Sequence, residues 1–219
     1  MYLSLAYIFS IILSLAASLS VYFQRKDDSY LKWFTPFLFI TLLVEGVSWF
    51  GLFNEKGNHV MYNVFSSVVE FSFYFFILGE IIKSKRVKRI IRVVLYVYVP
   101  VALGNIIFIQ KFVGFPSLTY DFGCLFMVAI CIYYFFELFQ FPHSVALVRQ
   151  PSFWICSGLL FFYCVSFPIF GPIRILSALP LVFSKNFAVI INLLNVLLYS
   201  SFTIAFLCRL RTRNSMSLS

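Results

Sequence analysis

Charged residues cut the chain into long apolar runs. Met1 to Gln24 carries none, and the stretch between Lys32 and Glu55 holds only Glu45. A third run, between Lys56 and Lys83, contains Glu70 and Glu80, and a fourth extends from Val93 to Gln110. The fifth runs from Phe122 to about Phe141 around Glu137, the sixth from Gln150 to Ile173, and the seventh from Asn186 to Cys208. A helix crosses about 30 Å of hydrocarbon with roughly 20 residues, so each run is a candidate span. Polar residues inside the runs recur every three or four positions, the period of one helix face. The second run offers Thr41, Glu45 and Ser48, the third Asn63, Ser66 or Ser67, Glu70 and Tyr74, and the seventh Asn192, Asn195 and Tyr199. The pattern predicts an all-α polytopic bundle of seven transmembrane helices over 1–208, followed by a short basic and polar tail over 209–219.

Composition sharpens this class. Of 219 residues, 62% are hydrophobic and 11% charged, against roughly 45–50% and about 25% in soluble domains. A water-soluble fold of this size cannot hide so much apolar surface. The formal charge of +9 does not point to nucleic acid, because no basic segment is long enough to build a groove for it. Lipid phosphate headgroups are the expected anions. All five cysteines lie in apolar stretches without a C-x-x-C pair, which reads as small buried hydrophobes. The 30 Phe and 13 Tyr are expected to fill the bundle and its lipid face, with Trp33, Trp49 and Trp154 near span ends, where aromatic belts form.

The start MYLS has no Lys or Arg before its apolar run, so it is expected to remain as the first helix rather than act as a cleaved signal. Lysines and arginines favour the cytoplasmic side. Arg25, Lys26, Lys32, Lys83, Lys85, Arg86, Lys88, Arg89, Arg92, Arg149, Arg209, Arg211 and Arg213 fall on one side of the seven spans, and Lys56, Lys111, Arg174 and Lys185 on the other. That asymmetry predicts the N-terminus outside, the C-terminus in the cytoplasm, and a multi-pass protein of the inner (plasma) membrane. The longest connector, Ile173 to Asn186 between Pro172 and Pro180, is expected to form a short interfacial or re-entrant turn.

An acid deep in a bilayer costs roughly 2.5–3.5 kcal/mol on insertion scales, so it turns to the bundle interior. At 1.5 Å per residue, Glu45 and Glu70 each lie about 18–20 Å from the inner ends of their spans. Asn105, Tyr163 and Asn195 come out at a similar height. With Asn192 they form the candidate ligand-binding set, an outward-opening polar pocket for a small molecule. The competing reading is that these groups only hydrogen-bond between helices, at around 0.6 kcal/mol a contact. Two carboxyls at one depth would also be able to share a proton. Glu80 and Glu137 lie near basic loops and are expected to snorkel into ion pairs. Asp121 is expected at the outer mouth in reach of water. Lys83, Lys85, Arg86, Lys88, Arg89 and Arg92 form the candidate surface for anionic lipid or for a cytoplasmic partner protein.

Several chemistries are excluded on residues alone. His59 and His143 fall on opposite sides of the membrane and cannot share a metal. The seventh run lacks the lysine that a Schiff-base retinal protein needs, and no phosphate-binding G-x-x-x-x-G-K-[ST] motif occurs. No cofactor, no metal and no enzymatic activity are expected.

The segments LLVEGVSWF (42–50), NVFSSVVEFSFYFFIL (63–78), PSFWICSGLLFFYCVSFP (151–168) and NLLNVLLY (192–199) resemble those of uncharacterised bacterial seven-helix integral membrane proteins. Those proteins are similar to membrane sensor units of bacterial signalling. The resemblance implies a receptor-like role, with a separate cytoplasmic signalling protein carrying the output, since none follows Cys208. A small proton- or cation-coupled transporter and a structural subunit of a membrane complex are the alternatives. A three-plus-three transporter would show an internal repeat, and none stands out.

Overall fold

A computed structural model describes residues 2–23, 29–109, 117–140, 147–170 and 181–216. Arg25, Lys26, Lys111, His143 and Arg174, and the part of the proline-flanked connector over 173–180, lie outside them. Among the described residues every regular element is helical: α1 (Tyr2–Tyr22), α2 (Ser29–Lys32), α3 (Phe34–Trp49), α4 (Glu55–Val64), α5 (Phe71–Ile81), α6 (Lys85–Gly104), α7 (Ser117–Gln140), α8 (Pro151–Phe170) and α9 (Leu181–Met216). Seven helical stretches are long and apolar enough to cross a membrane: Leu5–Tyr22, Tyr30–Trp49, Val60–Ile81, Lys85–Phe108, Leu118–Gln140, Pro151–Phe170 and Val189–Leu210. The sequence pattern anticipates this number and order.

Boundaries differ where charge was read as loop. The basic run belongs to a helix, because α6 begins at Lys85 and only Ile82 to Ser84 connect it to α5. Lysine and arginine are good helix formers, so their charge does not end a helix. The backbone of α9 likewise stays helical to Met216, past Cys208.

Two units emerge, one with its described residues within Met1–Leu42, Leu138–Phe162 and Pro180–Ser219, the other within Leu43–Glu137 and Tyr163–Leu179. In the first, α1 packs along α9. Ser10, Ser14 and Ser18 are buried one turn apart on α1, and small side chains at this spacing let helix backbones approach closely. Tyr7 packs at a tilt against Tyr199 with ring centroids 5.9 Å apart, and Phe34 packs edge-on against Phe202 and Phe206. Gly158 of α8 permits another close approach, since a Cβ there would come within 2.8 Å of the Ser201 Cβ.

In the second unit, α3 ends in a left-handed cap. Gly51 takes φ +61°, and its N–H donates to the Ser48 carbonyl while that of Leu52 donates to Val47. This pair of bonds is the Schellman arrangement, for which glycine carries no Cβ penalty. Asn54 then starts α4 by accepting the Gly57 N–H at 2.8 Å. The span continues through a π-helical segment, Phe65–Glu70, into α5, and a second π segment, Asn105–Ile109, comes after α6.

The junction between α5 and α6 corrects an expectation. Glu137, near the end of α7, is buried and does not reach outward for a cation. Its two oxygens accept the backbone N–H groups of Lys83 and Ser84, each at 2.9 Å. Ser84 is the N-cap of α6 and makes no side-chain cap bond of its own. A carboxylate there satisfies orphan N–H groups and complements the positive helix end. Glu80 also departs from the expected pairing: Lys88 Nζ donates to its backbone carbonyl at 3.3 Å.

Candidate functional site

The second unit gathers four of the six expected ligand residues: Glu45, Glu70, Asn105 and Tyr163. Asn192 and Asn195 belong to the first unit, half-buried on α9.

Glu45 lies four residues before the end of α3. The Tyr62 hydroxyl donates to its Oε2 at 2.9 Å, and Asn58 Nδ2 donates to Ser48 Oγ at 2.9 Å. These are two rungs of an antiparallel hairpin, because Asn58 and Tyr62 are one turn apart on α4 while Ser48 and Glu45 are three apart on α3. Tyr62 was not among the expected site residues. Its signal was present, since positions 58 and 62 mirror 48 and 45 about Phe53, within the turn that follows the Gly51 cap. Thr41, on the same predicted stripe, uses its hydroxyl on the Phe37 carbonyl at 2.9 Å and falls in the first unit.

Glu70 stands in the middle of its span, as the last residue of the π segment. A π turn takes more residues than an α turn and rotates the rest of the helix about its axis, and such turns occur frequently at functional sites. The choice between Ser66 and Ser67 resolves here. Ser67 is fully buried, while Ser66 is half-buried and bonded to the Tyr62 carbonyl at 2.7 Å. Glu70 lies within electrostatic reach of Glu45, Tyr74, Tyr98, Tyr120, Cys124 and Tyr163.

Aromatic packing holds this surround in place. Phe71, next to Glu70 and wholly buried, contacts Tyr98, Tyr120 and Tyr163 with centroids 5.5, 5.2 and 5.1 Å away. Tyr74 meets Tyr163 at 6.2 Å, and Tyr120 meets Phe170 at 4.9 Å. Tilted and edge-on contacts of this kind add about 0.5–1.5 kcal/mol each beyond burial. Gly123 makes room for the Phe71 ring, which a Cβ would meet at 2.8 Å. The arrangement places a carboxyl group near several tyrosines, with a second carboxyl group within electrostatic reach. It suits a polar or cationic ligand group.

Asn105 opens the second π segment, and its Nδ2 donates to Thr119 Oγ1 of α7. The Tyr98 hydroxyl donates to the Thr119 carbonyl at 3.4 Å. Asn105 is thus committed to joining α6 and α7 rather than to the surround of Glu70. Glu45 and Glu70 each lie 11 residues from the helix ends that the sequence places inside, Phe34 and Ile81, whereas Asn105 lies 20 residues from the start of α6, which takes in the basic run.

Lys85, Arg86, Arg89 and Arg92 are exposed on α6, as is Lys83 just before it, and Lys88 is half-buried. Among the described residues no three His, Cys, Asp or Glu side chains gather to hold a metal ion. No protein-family model, curated protein or solved structure matches the chain.

Proposed function

We propose that this chain is a multi-pass inner-membrane protein, N-terminus outside and C-terminus cytoplasmic, that senses a small polar ligand and signals through a separate cytoplasmic protein. The observation that carries the reading is Glu70 at the end of a π-helical segment, ringed by tyrosines and within electrostatic reach of Glu45. Lining carboxyls are costly in a bilayer unless they serve packing or a ligand. In this reading Lys83, Lys85, Arg86, Lys88, Arg89 and Arg92 contact lipid phosphates and the partner. A π turn has an α-helical alternative one residue out of register. A ligand that binds one register more tightly shifts the population by its differential affinity. The role is non-enzymatic.

The mutual reach of Glu45 and Glu70 also favours a second reading, a proton- or cation-coupled carrier. Proteoliposomes loaded with a pH-sensitive dye separate the two. The sensor reading predicts no proton or sodium flux above empty vesicles, and the carrier reading predicts flux abolished by Glu45→Gln and by Glu70→Gln. Under either reading both variants insert and melt close to wild type. Failure of both to fold assigns the carboxyls to packing and overturns the proposal.

A further inference from the structure

A cavity of about 720 Å³ opens between α6 and α7, and Tyr98, which also belongs to the surround of Glu70, lines it. Its walls are apolar, with Val97, Val101, Phe108, Phe122 and Phe126 all exposed along it. Its polar lining groups are tied to one another, Asn105 to the Thr119 hydroxyl and the Tyr98 hydroxyl to the Thr119 carbonyl, so an occupant there needs no polar group of its own. Gly104 lines the same space, and a Cβ on it would meet nothing within 4 Å. From Val93 to Phe108 the groove extends about 22 Å along the helix axis, more than the roughly 15 Å of hydrocarbon in one leaflet.

The groove starts where the cationic run ends. Arg86 and Arg89 are exposed seven and four residues before Val93, on the same side of α6 and about 10 and 6 Å further along its axis. One end of the site therefore calls for an anion and the rest for a long apolar chain. A second copy related by a two-fold axis along the membrane normal would instead bring two arginine clusters together, which like-charge repulsion opposes.

We propose that this groove holds one anionic phospholipid, its acyl chain between α6 and α7 and its phosphate at Arg86 and Arg89. The inference rests on the membrane-spanning reading; it uses neither Glu45 nor Glu70 and meets their surround only at Tyr98. The test is native mass spectrometry of the detergent-purified full chain incubated with dioleoyl phosphatidylglycerol or dioleoyl phosphatidylcholine. One phosphatidylglycerol is expected to remain bound in preference to phosphatidylcholine by about fivefold per arginine. Arg86→Gln with Arg89→Gln removes the preference, and Gly104→Leu, filling open space, removes the adduct while the melting temperature holds. Should Gly104→Leu fail to fold, Val101→Trp at an exposed wall position takes its place. Equal retention of the two lipids, adducts unchanged in either variant, competition by glycerol phosphate as effective as by whole lipid, or a dimer that buries Val101 each overturns the site. A chain that does not float with phosphatidylcholine vesicles refutes the membrane reading beneath it, whereas one that floats without lipid preference refutes the site alone.

Discussion

Glu137→Ala is expected to destabilise the protein by roughly 3 kcal/mol. The substitution removes two hydrogen bonds to a charged acceptor, each contributing about 1.5–3 kcal/mol, and leaves the partly buried N–H groups of Lys83 and Ser84 unpaired. Both bonds are 2.9 Å long and join the end of α7 to the start of α6. Glu137→Gln keeps one carbonyl acceptor but turns an amide donor toward the other N–H, so its loss should be intermediate. Thermal unfolding in detergent checks the order wild type, Gln, Ala, and hydrogen exchange at the Lys83 and Ser84 amides locates the damage. A snorkelling ion pair would be weakened by salt. Bonds to backbone N–H groups in a buried setting predict little change between low and high salt.

The second large effect concerns Gly123. In Gly123→Ala the new methyl would stand 2.8 Å from two carbons of the Phe71 ring. Phe71 has no room to yield, because Tyr98, Tyr120 and Tyr163 surround it. Overpacking of this kind typically costs 1–3 kcal/mol, and about 2 kcal/mol is expected here, read as a lower melting temperature. Near-ultraviolet circular dichroism should change as the tyrosines repack. Gly104→Ala is the control. It places the same methyl in open space on α6 and should leave stability near wild type.

Much of the fold was legible because charge punctuates this chain so sparsely that the seven apolar runs stand out. The misplaced ends of α6 and α9 share a cause, the treatment of Lys85 to Arg92 as loop and of Arg209 to Arg213 as tail when lysine and arginine do not oppose a helix. The cap by Glu137 was not legible. It joins residues 53 and 54 positions apart, and hydropathy says nothing about which turn lies beside the end of α7. Periodicity marked Glu45, Glu70, Asn192 and Asn195 as facing inward, but a period identifies a face and not its neighbours, so it could not divide them between two units. The π segments leave no mark in hydropathy either. By contrast, the Glu45–Tyr62 and Ser48–Asn58 rungs were readable from their symmetric spacing about Phe53, once the turn after Gly51 is recognised as following a glycine cap.

Whether Glu45 and Glu70 hold a ligand is the central question for this protein. The most direct measurement is a native mass spectrum of the tagged chain, extracted gently from its own membrane, beside those of Glu45→Gln and Glu70→Gln prepared alike. A ligand-holding site predicts a reproducible small-molecule adduct on the 25.5 kDa chain that both variants lose while remaining folded. A bare wild-type chain, or an adduct that survives both substitutions, would contradict it.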